Sequence, residues 1–86
     1  MNTQYVVYIV ECIDTTFYVG STNNLEKRLH EHNHLKCGAH YTKIRRPVSL
    51  KYLETFTTLK EALTREAAIK RLTRKKKIDL IQQKNM

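Results

Sequence analysis

The sequence predicts an α+β fold of order β-β-α-β-α-α, and three observations carry that expectation. A run of β-branched and aromatic residues, YVVYIVEC at Tyr5–Cys12, is followed after a short polar stretch by a second, FYVG at Phe17–Gly20. A third run, Val48–Phe56, alternates between apolar and polar residues. The segments after Asn23, Thr58 and Thr73 each open on a capping side chain and then carry apolar residues at helical spacing.

Tyr5–Cys12 has apolar residues on both alternating faces, as an interior strand covered on two sides requires. Ile13–Thr16 reads as a turn, so the first two strands form an antiparallel hairpin. Its register stays open. A three- or five-residue loop, pairing Val10 with Tyr18 or with Thr16, sets Tyr8 and Tyr18 on one face; a two- or four-residue loop, pairing Cys12 with Phe17, sets them on opposite faces. Asn23 with Glu26 fits a capping box, and Leu25 and Leu29 mark the inward face of a helix to about Asn33.

The stretch from His34 to Arg46 has no period, contains Gly38 and carries Lys36, His40, Lys43, Arg45 and Arg46. It reads as a basic surface loop, and Pro47 bars a helix from running through Arg46. In the third strand Val48, Leu50, Tyr52 and Phe56 are expected on one face and Lys51 and Thr55 on the other, with Glu54 interrupting the apolar side. Thr58 and Glu61 form a second capping box, opening a helix to about Leu72. Thr73 caps a last helix that packs through Ile78, Leu80 and Ile81, and Gln83–Met86 are expected to fray.

Eighty-six residues, 41% of them hydrophobic, make one domain spanning 1–86, with a core supplying roughly 3–5 kcal/mol. Against 8 acidic residues stand 16 Lys and Arg, a formal charge of +8 that attracts polyanions and makes nucleic acid the leading partner class. No apolar run approaches the ~20 residues of a membrane span, and the N-terminal residues lack a signal-peptide pattern, so the expected location is cytoplasmic with no membrane partner. Cys12 and Cys37 are expected as free thiols there.

Some side chains fall where a core would not put them. Leu59, Ala62, Leu63 and Ile69 form one stripe of the second helix, and Glu66 lies in its middle. An unpaired buried carboxylate costs several kcal/mol, so Glu66 must meet a cation, reach water or bind a metal. Lys70, one turn on, is the ordinary salt-bridge partner. His32 sits beside Leu25 and Leu29 on the first helix, with Arg28 one turn before it on the flank. Tyr8 and Tyr18 fit strands by propensity alone, so plain core packing accounts for either singly.

These residues together resemble the GIY-YIG nuclease domain, and more closely its small stand-alone bacterial members, the UPF0213 or excinuclease-subunit-C-like group. Val7-Tyr8-Ile9 stands near the first half-motif and Tyr18-Val19-Gly20 is the second; Arg28, His32, Gly38-Ala39-His40-Tyr41-Thr42 and Arg65-Glu66 follow. The resemblance covers about residues 4–81. It implies a three-stranded antiparallel sheet flanked by helices, with Tyr8 and Tyr18 on one face and hence an odd-length hairpin loop. It also implies metal-dependent endonucleolytic hydrolysis of DNA phosphodiester bonds, in repair or recombination.

Within that resemblance, Arg28 stabilises charge on the phosphoryl oxygens, and Glu66 holds a single Mg²⁺ or Mn²⁺. Tyr8 is the expected general base, provided that Arg28 lowers its pKa from near 10. Tyr18 positions water or phosphate and His32 handles a second proton, the tyrosine and histidine roles being exchangeable. Two departures stand out. Val6-Val7 replaces the glycine of the first half-motif, and Ser21 occupies the site where DNA-excision members carry a lysine.

The basic cluster of Arg71, Arg74, Lys75, Lys76 and Lys77, with Lys27, Lys43, Arg45 and Arg46, is the expected contact set for the DNA backbone, with RNA as another polyanion. Affinity from phosphate contacts alone gives little sequence specificity, which a protein partner would have to supply. Other readings are weaker. Gly20-Ser21-Thr22-Asn23 before a helix could cradle an anion but lacks the Lys-Ser/Thr ending of a nucleotide loop. His30, His32, His34, Cys37 and His40 invite zinc, yet His30 and His32 point about 200° apart on a helix. The serious alternative is a catalytically silent nucleic-acid-binding module of the same fold.

Overall fold

The computed structural model describes residues 4–34 and 45–84. Lys36, Cys37, Gly38, His40 and Lys43 of the expected basic loop lie outside the described residues, as do Asn85 and Met86. The elements are β1 (Tyr5–Glu11), β2 (Phe17–Thr22), α1 (Leu25–His34), β3 (Ser49–Phe56), α2 (Leu59–Lys70) and α3 (Arg74–Lys84). This is the predicted order. The last helix includes Gln83 and Lys84, where the sequence predicts fraying.

The three strands form an antiparallel sheet of order β2-β1-β3. β1 is central, and Val7, Tyr8, Ile9 and Val10 are all buried because layers cover both faces. On one face Tyr8, Val10, Cys12 and Val48 pack with Leu25 and Leu29 of α1. On the other, Val7, Ile9, Val19 and Tyr52 pack with Ala62 and Ile69 of α2, and with Leu72, Leu80 and Ile81 around α3. Cys12 is a buried free thiol, as expected.

The hairpin register is the odd-length alternative. Val10 faces Tyr18 and Glu11 faces Phe17, so Tyr8 and Tyr18 share a face and Gly20 lies directly opposite Tyr8. In the turn, Thr15 takes a left-handed φ of 68° with its N–H on the Cys12 carbonyl at 2.9 Å. Asp14 Oδ1 accepts from both the N–H and the hydroxyl of Thr16, at 3.2 and 2.6 Å.

Three local expectations need correction. β2 runs on to Thr22, whose hydroxyl accepts from the Asn24 N–H at 3.1 Å, so the helix begins one residue late. Asn24, not Asn23, is the cap, with Oδ1 accepting from the Lys27 N–H at 3.1 Å. In β3 a bulge makes Lys51 an extra residue: Ile9 faces Tyr52 while Val10 faces Leu50. The alternation therefore changes phase, sending Val48 and Leu50 to the α1 face and Tyr52 and Phe56 to the opposite one.

The third correction concerns α2, where Thr58 caps as predicted, its Oγ1 accepting from the Glu61 N–H at 3.2 Å and donating to Glu61 Oε1 at 2.8 Å. Ala62 and Ile69 are fully buried, but Leu59 and Leu63 are 49% and 48% exposed. A helix turns about 100° per residue, so these leucines lie on the same flank as Glu66. That flank overlooks β2, an edge strand, and among the described residues no further strand lies beyond it to cover them.

Candidate active site

The face of the sheet under α1 gathers the polar aromatic residues. Tyr8 comes from the central strand and is 1% exposed; His32 comes from the last turn of α1 and is wholly buried. The Tyr8 hydroxyl and His32 Nε2 are hydrogen-bonded at 2.8 Å. Tyr18, from the edge strand, sets its ring against both, with centroids 6.5 Å from Tyr8 and 5.2 Å from His32. This cluster exists because Gly20 has no side chain. A Cβ there would stand 2.5 Å from the Tyr8 hydroxyl oxygen and 3.1 Å from Tyr18 Cε1.

Arg28, one turn before His32, is oriented by Glu31, whose Oε1 accepts from Nη1 at 3.0 Å. It also lies within hydrogen-bonding reach of the Tyr8 hydroxyl. Burial pushes the Tyr8 phenol up to about 12, outweighing the lowering by Arg28. Arg28 does act to lower the phenol, as expected, but burial is the larger effect and the net shift is upward. Burial, then the charge of Arg28, holds His32 down at about 4. At neutral pH both partners are uncharged, and the phenol can donate to a neutral imidazole.

Glu66 approaches from the other side of the edge strand. Its side chain is 15% exposed, with Oε1 accepting from the Ser21 hydroxyl at 2.6 Å and Oε2 paired with Lys70 Nζ at 2.8 Å. Glu66 is close enough to contribute to the raised Tyr8 pKa. The adjacent Arg65 turns the opposite way and clasps Glu54 of β3 through Nε and Nη2 at 3.0–3.2 Å, with Tyr52 bonded to the same carboxylate. Glu54, unexplained by the strand pattern, is thus neutralised. Two neighbouring residues of α2, each bonded to a different outer strand, fix its rotation over the sheet.

The basic residues divide. Arg45 pairs with Asp14 at 3.0 Å. Arg46 donates to backbone carbonyls at the end of α1, those of Glu31 and His32. Arg74 bonds the Thr15 carbonyl at 2.7 Å and stacks over Phe17 at 4.8 Å. These three hold the structure together around the hairpin turn and the end of α1. Lys27, Arg71, Lys75 and Lys76 are exposed and Lys77 is partly so.

Sequence reasoning missed the bond from Ser21 to Glu66, the role of Glu31 and the space kept by Gly20. Glu31 had a signal, three residues after Arg28 on one helix. Ser21 had none, because its partner is 45 residues away. Among the described residues no group of three His, Cys, Asp or Glu could hold a metal; Cys37 and His40 of the zinc reading lie outside the described residues. Glu66 is the carboxylate at this site, and a hard anionic oxygen suits Mg²⁺ or Mn²⁺ that keeps most of its waters.

Residues 4–79 match the GIY-YIG catalytic domain, and the chain belongs to that family of nuclease-type domains. Its relatives narrow the class. It is 54% identical to a UPF0213 protein of Syntrophus aciditrophicus, over 96% of this chain and 94% of that one. It is 51% identical to the UPF0213 protein YazA of Bacillus subtilis, over 90% and 77%. The solution structure of protein EF2693 from E. faecalis superimposes with a TM-score of 0.66 at 40% identity, covering 95% of this chain and 86% of that one. That of the UPF0213 protein BH0048 from Bacillus halodurans gives 0.62 at 36%, covering 94% and 85%. Among the described residues no helix is long and apolar enough to cross a membrane.

Proposed function

We propose that this chain is a divalent-metal-dependent endonuclease that hydrolyses DNA phosphodiester bonds at the edge of β2. One observation carries the reading: a buried Tyr8–His32 hydrogen bond lies within reach of an arginine and close enough to feel the charge of a carboxylate pinned by Ser21. A purely structural buried histidine does not need that company.

In this reading Arg28, held by Glu31, binds the scissile phosphate and offsets the charge that builds on its oxygens. Tyr8 takes the proton of the attacking water as its own hydroxyl proton passes to His32 Nε2, so no tyrosinate forms beforehand. That exchange reconciles a base role with a phenol pKa near 12. A bound phosphate also offsets the Arg28 charge that depresses His32, making the imidazole a better acceptor. Tyr18 orients water or phosphate. Glu66 would hold the Mg²⁺ or Mn²⁺, which when bound polarises the phosphate and takes up charge on the leaving oxygen.

The substrate is expected to be gripped mainly by phosphate contacts from Lys27, Arg71, Lys75, Lys76 and Lys77, with little sequence preference and a place in DNA repair or recombination. Lys43, Arg45, Arg46 and Arg74 belong to the same expected grip; Lys43 lies outside the described residues, and Arg45, Arg46 and Arg74 also have structural partners. Labelled single-stranded, duplex and branched DNA, incubated at low salt with Mg²⁺ or Mn²⁺, tests the reading. Native protein should cut and stop on chelation, whereas Glu66→Ala and Arg28→Ala should lose at least about 100-fold in rate. Salt-sensitive binding without cutting by any of the three would leave a silent binding module.

A further inference from the structure

Lys70 sits where an incoming ion would have to go. Ser21 anchors Glu66 Oε1 at 2.6 Å, leaving Oε2 as the outward oxygen, and Lys70 Nζ occupies it at 2.8 Å. Mg²⁺ binds carboxylate oxygen at about 2.1 Å and keeps a bulky shell of water. An ammonium and a hydrated divalent ion on one oxygen would crowd and repel each other. The lysine side chain is 54% exposed, against 15% for the carboxylate, so the ammonium can leave into solvent.

The surroundings say where the displaced ammonium goes. Lys70 lies near enough to Tyr18 for the two to interact electrostatically. Its carbon stem is anchored one helical turn beyond Glu66, on the flank of α2 that overlooks the edge strand. Swinging free of the carboxylate leaves a mobile cation at the rim of the same site. That is the charge a phosphate diester needs, and position 21, on the strand, is a serine.

We propose that Lys70 is a displaceable counter-ion: it neutralises Glu66 in the metal-free protein, gives way to the divalent ion, and then contacts the phosphate of the bound nucleic acid. This rests on the nuclease reading for the identity of the ligand. The first half does not require any cleavage to be measured. A surface ion pair of this kind is a weak competitor, so its removal changes metal affinity by a small factor.

The test is Mn²⁺ binding to the free protein, followed by paramagnetic resonance or calorimetry, for native, Lys70→Met and Glu66→Gln. Lys70→Met should bind Mn²⁺ about two- to fivefold more tightly than native, and Glu66→Gln should lose the site. The second half is read as affinity for a short duplex in Ca²⁺, expected to fall several-fold in Lys70→Met and to recover in Lys70→Arg. Unchanged or weaker Mn²⁺ binding by Lys70→Met overturns the counter-ion role. Tighter Mn²⁺ binding with unchanged duplex affinity overturns the transfer to phosphate. If Lys70→Met behaves as proposed but native protein never cuts DNA, the nuclease reading fails while the ion exchange stands.

Discussion

His32 has no exposed surface and refuses a proton until about pH 4, whereas an unfolded histidine accepts one near 6.5. Between those values the unfolded chain binds more protons than the folded one, so stability is full above about pH 6.5 and falls as pH drops toward 4. The loss can reach roughly 3 kcal/mol. Urea unfolding of native protein and of His32→Gln across that window should separate the two: the native curve falls more steeply because the variant lacks this proton. Parallel curves would mean that His32 is freely hydrated. That this histidine and Tyr8 each carry an uncommon burden was half legible in the chain. Parity decided that Tyr8 and Tyr18 could meet, but that they do depends on the space kept by Gly20, which a glycine after a strand does not announce.

At the scale of elements, caps and turns were read from local chemistry and mostly stand, because their partners are a few residues apart. Thr58 and Thr73 both cap as their sequences imply. Asn24 displaced Asn23 only because β2 runs on to Thr22. The bulge at Lys51 was not legible, since Val48, Leu50 and Tyr52 keep perfect alternation in sequence and the phase changes only in space. The hairpin turn shows a local cost that other contacts support. Thr15 is the one non-glycine with positive φ among the described residues, and Arg74 bonds its carbonyl. A β-branched residue there loses about 1–2 kcal/mol to Cβ crowding. Thr15→Gly should therefore raise stability in urea by about 1 kcal/mol, less than the full cost because glycine is freer when unfolded. Destabilisation would show that the Thr15 side chain supports the turn.

For the whole molecule, a +8 charge, three layers and the edge strand β2 define what this chain can do. The sheet delivers Tyr8 and Tyr18 to one face, α1 adds Arg28 and His32, and α2 brings Glu66 around the edge of β2 through Ser21. Glu66 stood out on the helical wheel as a charge inside an apolar stripe, but the wheel could not show that Leu59 and Leu63 of that stripe are half exposed. Only the sheet's edge decides that. The charge was legible from composition; its distribution was not, because Arg45, Arg46 and Arg74 find partners far along the chain.

In the proposed reaction the Tyr8 hydroxyl, through its bond to His32, handles the proton of an attacking water. Single-turnover cleavage of supercoiled plasmid with saturating Mn²⁺ by Tyr8→Phe, alongside its DNA affinity, tests that claim most directly. Plasmid binding should stay near native strength while the cleavage rate falls by at least about 100-fold. Cleavage by Tyr8→Phe at the native rate would contradict it, and the proton would have to leave by another group.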